Sequence, residues 1–215
     1  MTQKETKTNN TDTIVYELYG KTYINLTNSC TNECAFCIRD IKDDVIGKNM
    51  WLEHDNVIGD DVIEALLANK DNLKDEIVYC GYGEPTLRLS ALIKSAKYIK
   101  ENFKDKKIRL NTNGHGNLVY KTDIVPQLAQ YIDSISISLN AQDENTYNKI
   151  SKPKIKDAYS GMLDFVKKCK ENGIDTTVTI VTHFKDYEID VEKCRQIADD
   201  LGVKFREREY LNNGY

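Results

Sequence analysis

From about residue 14 onward, short apolar runs rich in β-branched and aromatic residues alternate with longer segments whose apolar positions recur every three or four residues. The first pattern predicts strands over 22–27, 76–81, 107–112, 134–139, 174–181 and 203–208. The second predicts helices over 56–69, 89–103, 123–131, 143–150, 157–172 and 187–201. The stripes Leu89, Leu92, Ile93, Ala96, Ile99 and Met162, Leu163, Val166, Cys169 are the clearest, and Asn172 with Gly173 gives the latter helix an αL-type stop. Ahead of the first strand, residues 14–18 and 22–26 read as two extended runs turning at Gly20. Residues 1–12 are polar and without periodicity, which predicts a disordered tail and leaves 13–215 as a single domain.

Strands that alternate with helices imply parallel pairing through right-handed crossovers, an α/β fold. The strand faces separate a doubly wound sheet from a barrel. A parallel sheet covered by helices on both sides is apolar on both faces. Here Ser134, Ser136, Ser138 and Asn140 alternate with Ile135, Ile137 and Leu139. Arg109, Asn111 and Asn113 alternate with Ile108 and Leu110, and Tyr23, Asn25 and Thr27 with Ile24 and Leu26. Such polar lines would be costly inside a packed interior and make sense around a lumen holding water or a polar ligand. The expected architecture is a partial, incompletely closed TIM-like (β/α)6 barrel with a short N-terminal extended segment, its ligands at the C-terminal strand ends.

Composition narrows the class. The chain has 215 residues and 24.7 kDa, is 40% hydrophobic and 30% charged, and holds only 3 Pro and 11 Gly, which excludes collagen and low-complexity disorder. No apolar run approaches the roughly 20 residues of a membrane span, and the polar start MTQKETKTNNTDT lacks a secretory apolar core, so a cytoplasmic location without membrane contact is expected. Thirty basic against thirty-four acidic residues argue against a partner bound mainly through phosphates. The charge is nonetheless patchy. Residues 94–109 hold seven Lys/Arg against two acids, 149–170 seven Lys against two, and 53–76 eight acids against two Lys. These runs read as solvated helix faces; a basic face could also dock an acidic flavodoxin or ferredoxin, or an RNA.

Six cysteines are too few and too uneven for a disulfide scaffold, and three of them fall within eight residues: Cys30, Cys34 and Cys37, spaced C-x3-C-x2-C on the loop leaving the first barrel strand. A closed zinc site wants four ligands. His54 and Cys80 are possible fourth partners, but neither makes a standard spacing. A cubane iron–sulfur cluster held by three cysteines leaves one iron open, whereas an electron-carrier ferredoxin supplies a fourth. A zinc-binding or iron–sulfur electron-carrier or interaction module thus stands beside an enzyme. Cys169 and Cys194 read as small buried hydrophobes, and Cys80 as a packed residue, a second ligand or a reactive thiol. The final run VKFREREY alternates Arg206 and Arg208 with Glu207 and Glu209, charges that either read a polar substrate from the lumen or protect an edge strand.

With Phe36 directly before its last cysteine, the loop TNSCTNECAFCIRD resembles the signature of radical S-adenosylmethionine (SAM) enzymes. The likeness recurs along the chain. In IVYCGYGEPTLR, Gly81, Gly83, Glu84 and Pro85 look like the segment with which that superfamily grips the SAM methionine amino group, with Tyr82 in place of a glycine. The glycines there would permit close backbone approach to a ligand or positive φ. By the same resemblance, Asn111 and Asn113 in NTNGHGN and Ser138 and Asn140 in SISISLNAQDE contact the SAM ribose and carboxylate, and Val181 or Ile180 walls the adenine. His183, alone at a strand end, reads as a surface residue. The stretches YINLTNSCTNECAFCIRD, CGYGEPTLR, NTNGHGN, SISLNAQDENTYNKI and FREREY are similar to the TatD family-associated radical SAM proteins over about 14–210, a group without a settled substrate. The resemblance implies a [4Fe-4S] cluster on Cys30, Cys34 and Cys37 that, reduced by a flavodoxin or ferredoxin-type donor, cleaves SAM to methionine and a 5′-deoxyadenosyl radical. That radical abstracts hydrogen from an unidentified substrate, and the protein supplies ligation, tuning and exclusion of water. The open side of a partial barrel would admit something bulky.

Overall fold

A reversal at Tyr19 and Gly20, both at positive φ (49° and 69°), folds strand β1 (Val15–Leu18) back on β2 (Lys21–Ile24). Positive φ at both central residues is the type I′ geometry that matches strand twist. The computed structural model describes residues 12–45, 47–184 and 187–210. The expected tail lies outside them except for Asp12, whose carboxylate accepts the backbone N–H groups of Glu53 at 2.6 Å and His54 at 3.2 Å.

After the small hairpin β3 (Asp44–Val45) and β4 (Lys48–Asn49) come β5 (Glu76–Tyr79), β6 (Lys107–Thr112), β7 (Ser134–Ser138), β8 (Asp175–Thr182) and β9 (Lys204–Glu209). The large sheet runs β1-β2-β5-β6-β7-β8-β9, antiparallel only at β1–β2. Its order never reverses, so right-handed crossovers place every helix on one face and leave the other turned inward. Among the described residues β1 and β9 have no second neighbour, and the sheet stays open. The expected partial barrel is what the chain forms.

The crossovers carry α1 (Gly59–Ala68), α2 (Leu89–Asn102), α3 (Gly116–Tyr120), α4 (Val125–Leu128), α5 (Glu144–Ser151), α6 (Ala158–Glu171) and α7 (Val191–Leu201). Asp143 caps α5 by accepting from the Thr146 N–H at 2.8 Å, and Asp190 caps α7 from Lys193 at 3.0 Å. The α7 cap explains why the helix expected over 187–201 begins only at Val191. The helix expected over 123–131 contracts to α4, with Pro126 in its first turn, and the chain already turns through α3, which the glycine-rich NTNGHGN conceals. The strand expected over 22–27 stops at Ile24, and the next residue, Asn25, donates its side-chain amide to the Met50 carbonyl at 2.8 Å.

The period-2 alternation resolves into two faces. Ile24, Ile77, Ile108, Leu110, Ile137 and Ile180 are fully buried in the core beneath the helices, where the Tyr79 hydroxyl meets Ser95 of α2 at 2.7 Å. Arg109, Asn111, Ser136 and Ser138 face the other way, into the concavity. The charge runs turn out to be complementary: the basic 94–109 stretch pairs with the acidic 53–76 stretch through Lys94–Asp60 at 2.7 Å, Lys106–Asp75 at 3.4 Å and Arg109–Glu76 at 3.5 Å. Among the described residues no helix is long and apolar enough to cross a membrane.

Two substitutions one residue apart test this sidedness. Leu110→Ala opens a cavity on the helix side and should cost about 2–5 kcal/mol in urea unfolding; Asn111→Ala, on the concave side, should cost much less.

Candidate active site

Leaving β2, the chain runs into the cysteine loop, and both walls of that loop are pinned. On one side the Asp55 carboxylate accepts from the Thr27 hydroxyl at 2.6 Å and the Asn28 N–H at 2.8 Å, while the Asn28 side chain exchanges two hydrogen bonds with Leu52 at 2.8 and 3.0 Å. On the other, Ala35 N–H donates to Ile150 at 2.7 Å, Glu33 N–H to Ser151 at 3.1 Å and Lys154 N–H to Thr31 at 2.8 Å, docking the loop against the end of α5. Arg39 then folds back, its guanidinium donating to the carbonyls of Asn28 at 3.2 Å and Asn32 at 3.5 Å.

Each thiol so placed has a donor near its sulfur. The Asn32 N–H (3.4 Å) and the Asn113 amide (3.7 Å) point at Cys30 Sγ, the Ser151 hydroxyl interacts with Cys34, and the Arg39 N–H with Cys37. Burial pushes the Cys30 thiol up to about 11 and the Cys34 thiol up to about 12, and raises Cys37 as well. Three clustered thiolates in a low dielectric need a positive group to hold them deprotonated. Donors aimed at the individual sulfurs are what tunes an iron–sulfur cluster. His54, considered as a fourth ligand, is exposed and pairs with Asp12 at 3.2 Å.

Glu84 sits beneath this loop, 4% exposed. Its carboxylate accepts four hydrogen bonds, from the Thr86 N–H (3.0 Å) and hydroxyl (2.8 Å), the Thr112 hydroxyl (2.6 Å) and the Asn113 N–H (2.7 Å). Three of these bonds fall on Oε1 and one on Oε2, so the carboxylate positions the turn against the end of β6 and keeps acceptor capacity on Oε2 at the cavity. Burial raises its pKa despite the four donors. The glycines beside it also differ from expectation. Neither Gly81 nor Gly83 has positive φ; a Cβ on Gly83 would lie 2.3 Å from the Thr27 carbonyl oxygen and one on Gly81 2.0 Å from Asn25 Oδ1. They let the chain from Asn25 to Ser29 come close. Tyr82 does not line the cavity beside the thiols: its hydroxyl donates to the Lys42 carbonyl and its ring meets Trp51 edge-on at 5.2 Å.

The remaining expected residues come together around one cavity of about 180 Å3, which Cys30, Cys34, Phe36, Pro85, Asn111 and Asn113 line with Ser138 and Asn140. Asn140 is held at φ 61° by its N–H bond to the Thr179 carbonyl (3.1 Å) and donates its amide to Ser151 at 3.1 Å. Cys37 faces an adjoining recess that it shares with Cys34, Arg39, Phe184 and Tyr210. Val181 is half-buried on the same strand face as the cavity-lining Thr179 but is not part of that wall, while Ile180 belongs to the helix-side core. His183 is exposed, as expected. The buried side-chain oxygens Oδ1 of Asn32, Asn111 and Asn140 line the cavity without a partner. Such acceptors suit a ligand bearing hydroxyl or ammonium donors.

Sequence reading gave no role to His115, the centre of a buried network. Its Nδ1 meets the Thr31 hydroxyl at 2.9 Å and its Nε2 the Tyr147 hydroxyl at 2.9 Å; Thr31 in turn accepts from the Asn113 amide at 2.7 Å. Burial drives the imidazole pKa down to about 4. Only the tripeptide spacing of Asn113 and His115 hinted at this, and a lone histidine in a glycine-rich loop carries no distinctive signal. Arg39, Asp55 and the rings of Phe184 and Tyr210, which join the expected Phe36 (Phe36–Phe184 6.0 Å, Phe184–Tyr210 4.6 Å), were equally silent.

Residues 24–198 match the family model described as the radical SAM superfamily. Among curated proteins the chain is similar to a probable dual-specificity RNA methyltransferase RlmN from Fervidobacterium nodosum, 22% identical over 187 residues, covering 81% of this chain and 49% of that protein. The chain thus spans about half the length of that relative. Among solved structures it resembles Streptococcus suis SuiB bound to precursor peptide SuiA (TM-score 0.66, 19% identity, 88% of this chain and 39% of that one). It also resembles SuiB bound to S-adenosylmethionine (TM-score 0.62, 18% identity, 88% and 38%).

Two measurements test the site. Gly83→Ala should lose about 1–3 kcal/mol of stability from overpacking against the Thr27 carbonyl, read by urea unfolding. The depressed His115 pKa means that the unfolded chain takes up the proton first. Its stabilising contribution is therefore complete above pH 6.5 and lost as pH falls toward 4. Between pH 7 and 5 the protein should lose about 2 kcal/mol more than its His115→Gln variant does.

Proposed function

The chain belongs to the radical SAM superfamily, whose members work with a [4Fe-4S] cluster and SAM, and from that premise we infer that Cys30, Cys34 and Cys37 hold the cluster and that SAM occupies the cavity beside them. The observation that carries this reading is the set of three half-buried thiols, each with a hydrogen-bond donor at its sulfur, of which Cys30 and Cys34 line a cavity with three unpartnered amide oxygens and Cys37 faces the adjoining recess. When bound, the two cofactors supply a 5′-deoxyadenosyl radical for hydrogen abstraction.

The protein's own part is ligation, orientation and exclusion. Asn111 and Asn140 offer carbonyl oxygens to hydroxyl or ammonium donors, with Ser138 beside them. Glu84 keeps the ends of β5 and β6 in register under the cysteine loop, and Val181 extends an apolar surface beyond Thr179 on β8. The rings of Phe36, Phe184 and Tyr210 cover the Cys37 side against water. An external flavodoxin or ferredoxin-type reductant fits this scheme. The basic 94–109 run is largely engaged in ion pairs with the chain's own acids, which makes it a poor docking face. The quoted motifs support a finer kinship with the TatD family-associated radical SAM proteins. RNA methylation, named for relatives twice this length, finds no specific support in the residues of this site.

Anaerobic reconstitution with iron and sulfide should give a brown protein with about four iron per chain. With dithionite and SAM it should release 5′-deoxyadenosine, and Cys34→Ala should abolish both. A colourless protein that binds zinc stoichiometrically would overturn the reading.

A further inference from the structure

One continuous chain of hydrogen bonds runs behind the cysteine loop and ends at the sulfurs of Cys30 and Cys34. The Asn113 side-chain amide donates to Cys30 Sγ at 3.7 Å and to the Thr31 hydroxyl at 2.7 Å. Thr31 meets His115 Nδ1 at 2.9 Å, and Nε2 of the same ring meets the Tyr147 hydroxyl at 2.9 Å. One turn further along α5, the Ser151 hydroxyl interacts with both Tyr147 and Cys34. Asn32 hangs on the same tyrosine: its side-chain amide donates to the Tyr147 hydroxyl at 3.4 Å, while its backbone N–H points at Cys30 Sγ at 3.4 Å. His115, Tyr147 and Ser151 are wholly buried.

Holding the elements together does not call for these polar groups. Backbone bonds already tie the loop to α5 and the turn after it, from Ala35 N–H to Ile150 at 2.7 Å, Glu33 N–H to Ser151 at 3.1 Å and Lys154 N–H to Thr31 at 2.8 Å. An apolar filling of the same shape can be as stable as a buried hydrogen-bonded pair, and a polar network must be matched throughout. What the network adds is direction. Burial keeps the imidazole neutral, so one ring nitrogen donates and the other accepts. The ring thereby fixes Thr31 and Tyr147, and these fix Asn113, Asn32 and Ser151, whose N–H and O–H groups lie at Cys30 and Cys34. The same arrangement leaves the unpartnered Asn32 Oδ1 on the cavity wall.

Resting on the reading that Cys30, Cys34 and Cys37 carry the cluster, we propose that His115 is its positioning residue, joining the donors at Cys30 to those at Cys34 and so setting the cluster's reduction potential. The ring acts without changing its charge. A hydrogen bond at a sulfur draws off negative charge and favours the reduced cluster, so slackened donors lower the potential.

The test poises the anaerobically reconstituted protein with redox mediators and reads the reduced cluster by electron paramagnetic resonance. His115→Phe fills the space without a polar atom, and Tyr147→Phe loses a single oxygen. Each should lower the ratio of reduced to oxidised cluster at a fixed potential by about tenfold, a shift of about 59 mV for one electron. The double variant should go no lower than His115→Phe alone, because both changes break one chain. Tyr79→Phe, in the helix-side core, should leave the potential unchanged. In the cluster-free protein the nitrogen-15 resonances of His115 should show one neutral tautomer. Wild-type potentials in both single variants, additive shifts in the double variant, an equal shift in Tyr79→Phe, or two exchanging tautomers would overturn the proposal. Should His115→Phe not fold, Tyr147→Phe and the tautomer measurement decide. Wild-type protein that shows a single tautomer yet assembles no cluster defeats the cluster reading and the proposal with it. A cluster whose potential ignores the substitutions defeats the role of His115 alone.

Discussion

The Glu84 carboxylate, buried with four donors around it, is the contact on which the mouth of the fold depends. Two of its partners, Thr112 and Asn113, belong to the end of β6 and the loop beyond it, while Glu84 itself opens the turn after β5. Asn113, fixed by that bond, passes its own amide to Thr31 and toward Cys30. A buried carboxylate is costly unless it is hydrogen-bonded. Strand register, turn and cysteine loop are therefore locked together: moving one strands a charge in the interior.

A second constraint is steric. The loop that carries the thiols comes so near the Gly81–Gly83 turn that no side chain fits between them. Thr27, Asn28 and Ser29 are tied to Asp55 on the far side, so the loop cannot retreat without losing those bonds. Glycine and acid thus act as one device. The glycines let the two backbones meet, and the glutamate holds the turn at the height where they do.

The concave face expresses the opposite physics from the helix side. Beneath the helices, Ile24, Leu110, Ile137 and Ile180 exclude water and supply the hydrophobic driving force. Across the same strands Asn111, Ser136, Ser138 and three arginines line a polar hollow. Because successive strand residues alternate faces, each strand serves the core and the site at once.

Much of this was legible from the linear chain. Period-2 alternation in the 107–112 and 134–139 runs announced a one-sided polar sheet, and the spacing of Cys30, Cys34 and Cys37 marked the loop as a ligand set, because both signals are local and repeat along a few residues. Tertiary structure alone decided that Glu84 ties the turn after β5 to the end of β6, that Tyr82 turns out to Lys42 and Trp51, and that His115 joins Thr31 to Tyr147. These roles join residues that lie far apart in the chain, some over eighty positions distant, as Thr31 and His115 do. Hydrogen-bond saturation, steric approach and burial are properties of the neighbours that folding supplies, and no local pattern encodes them.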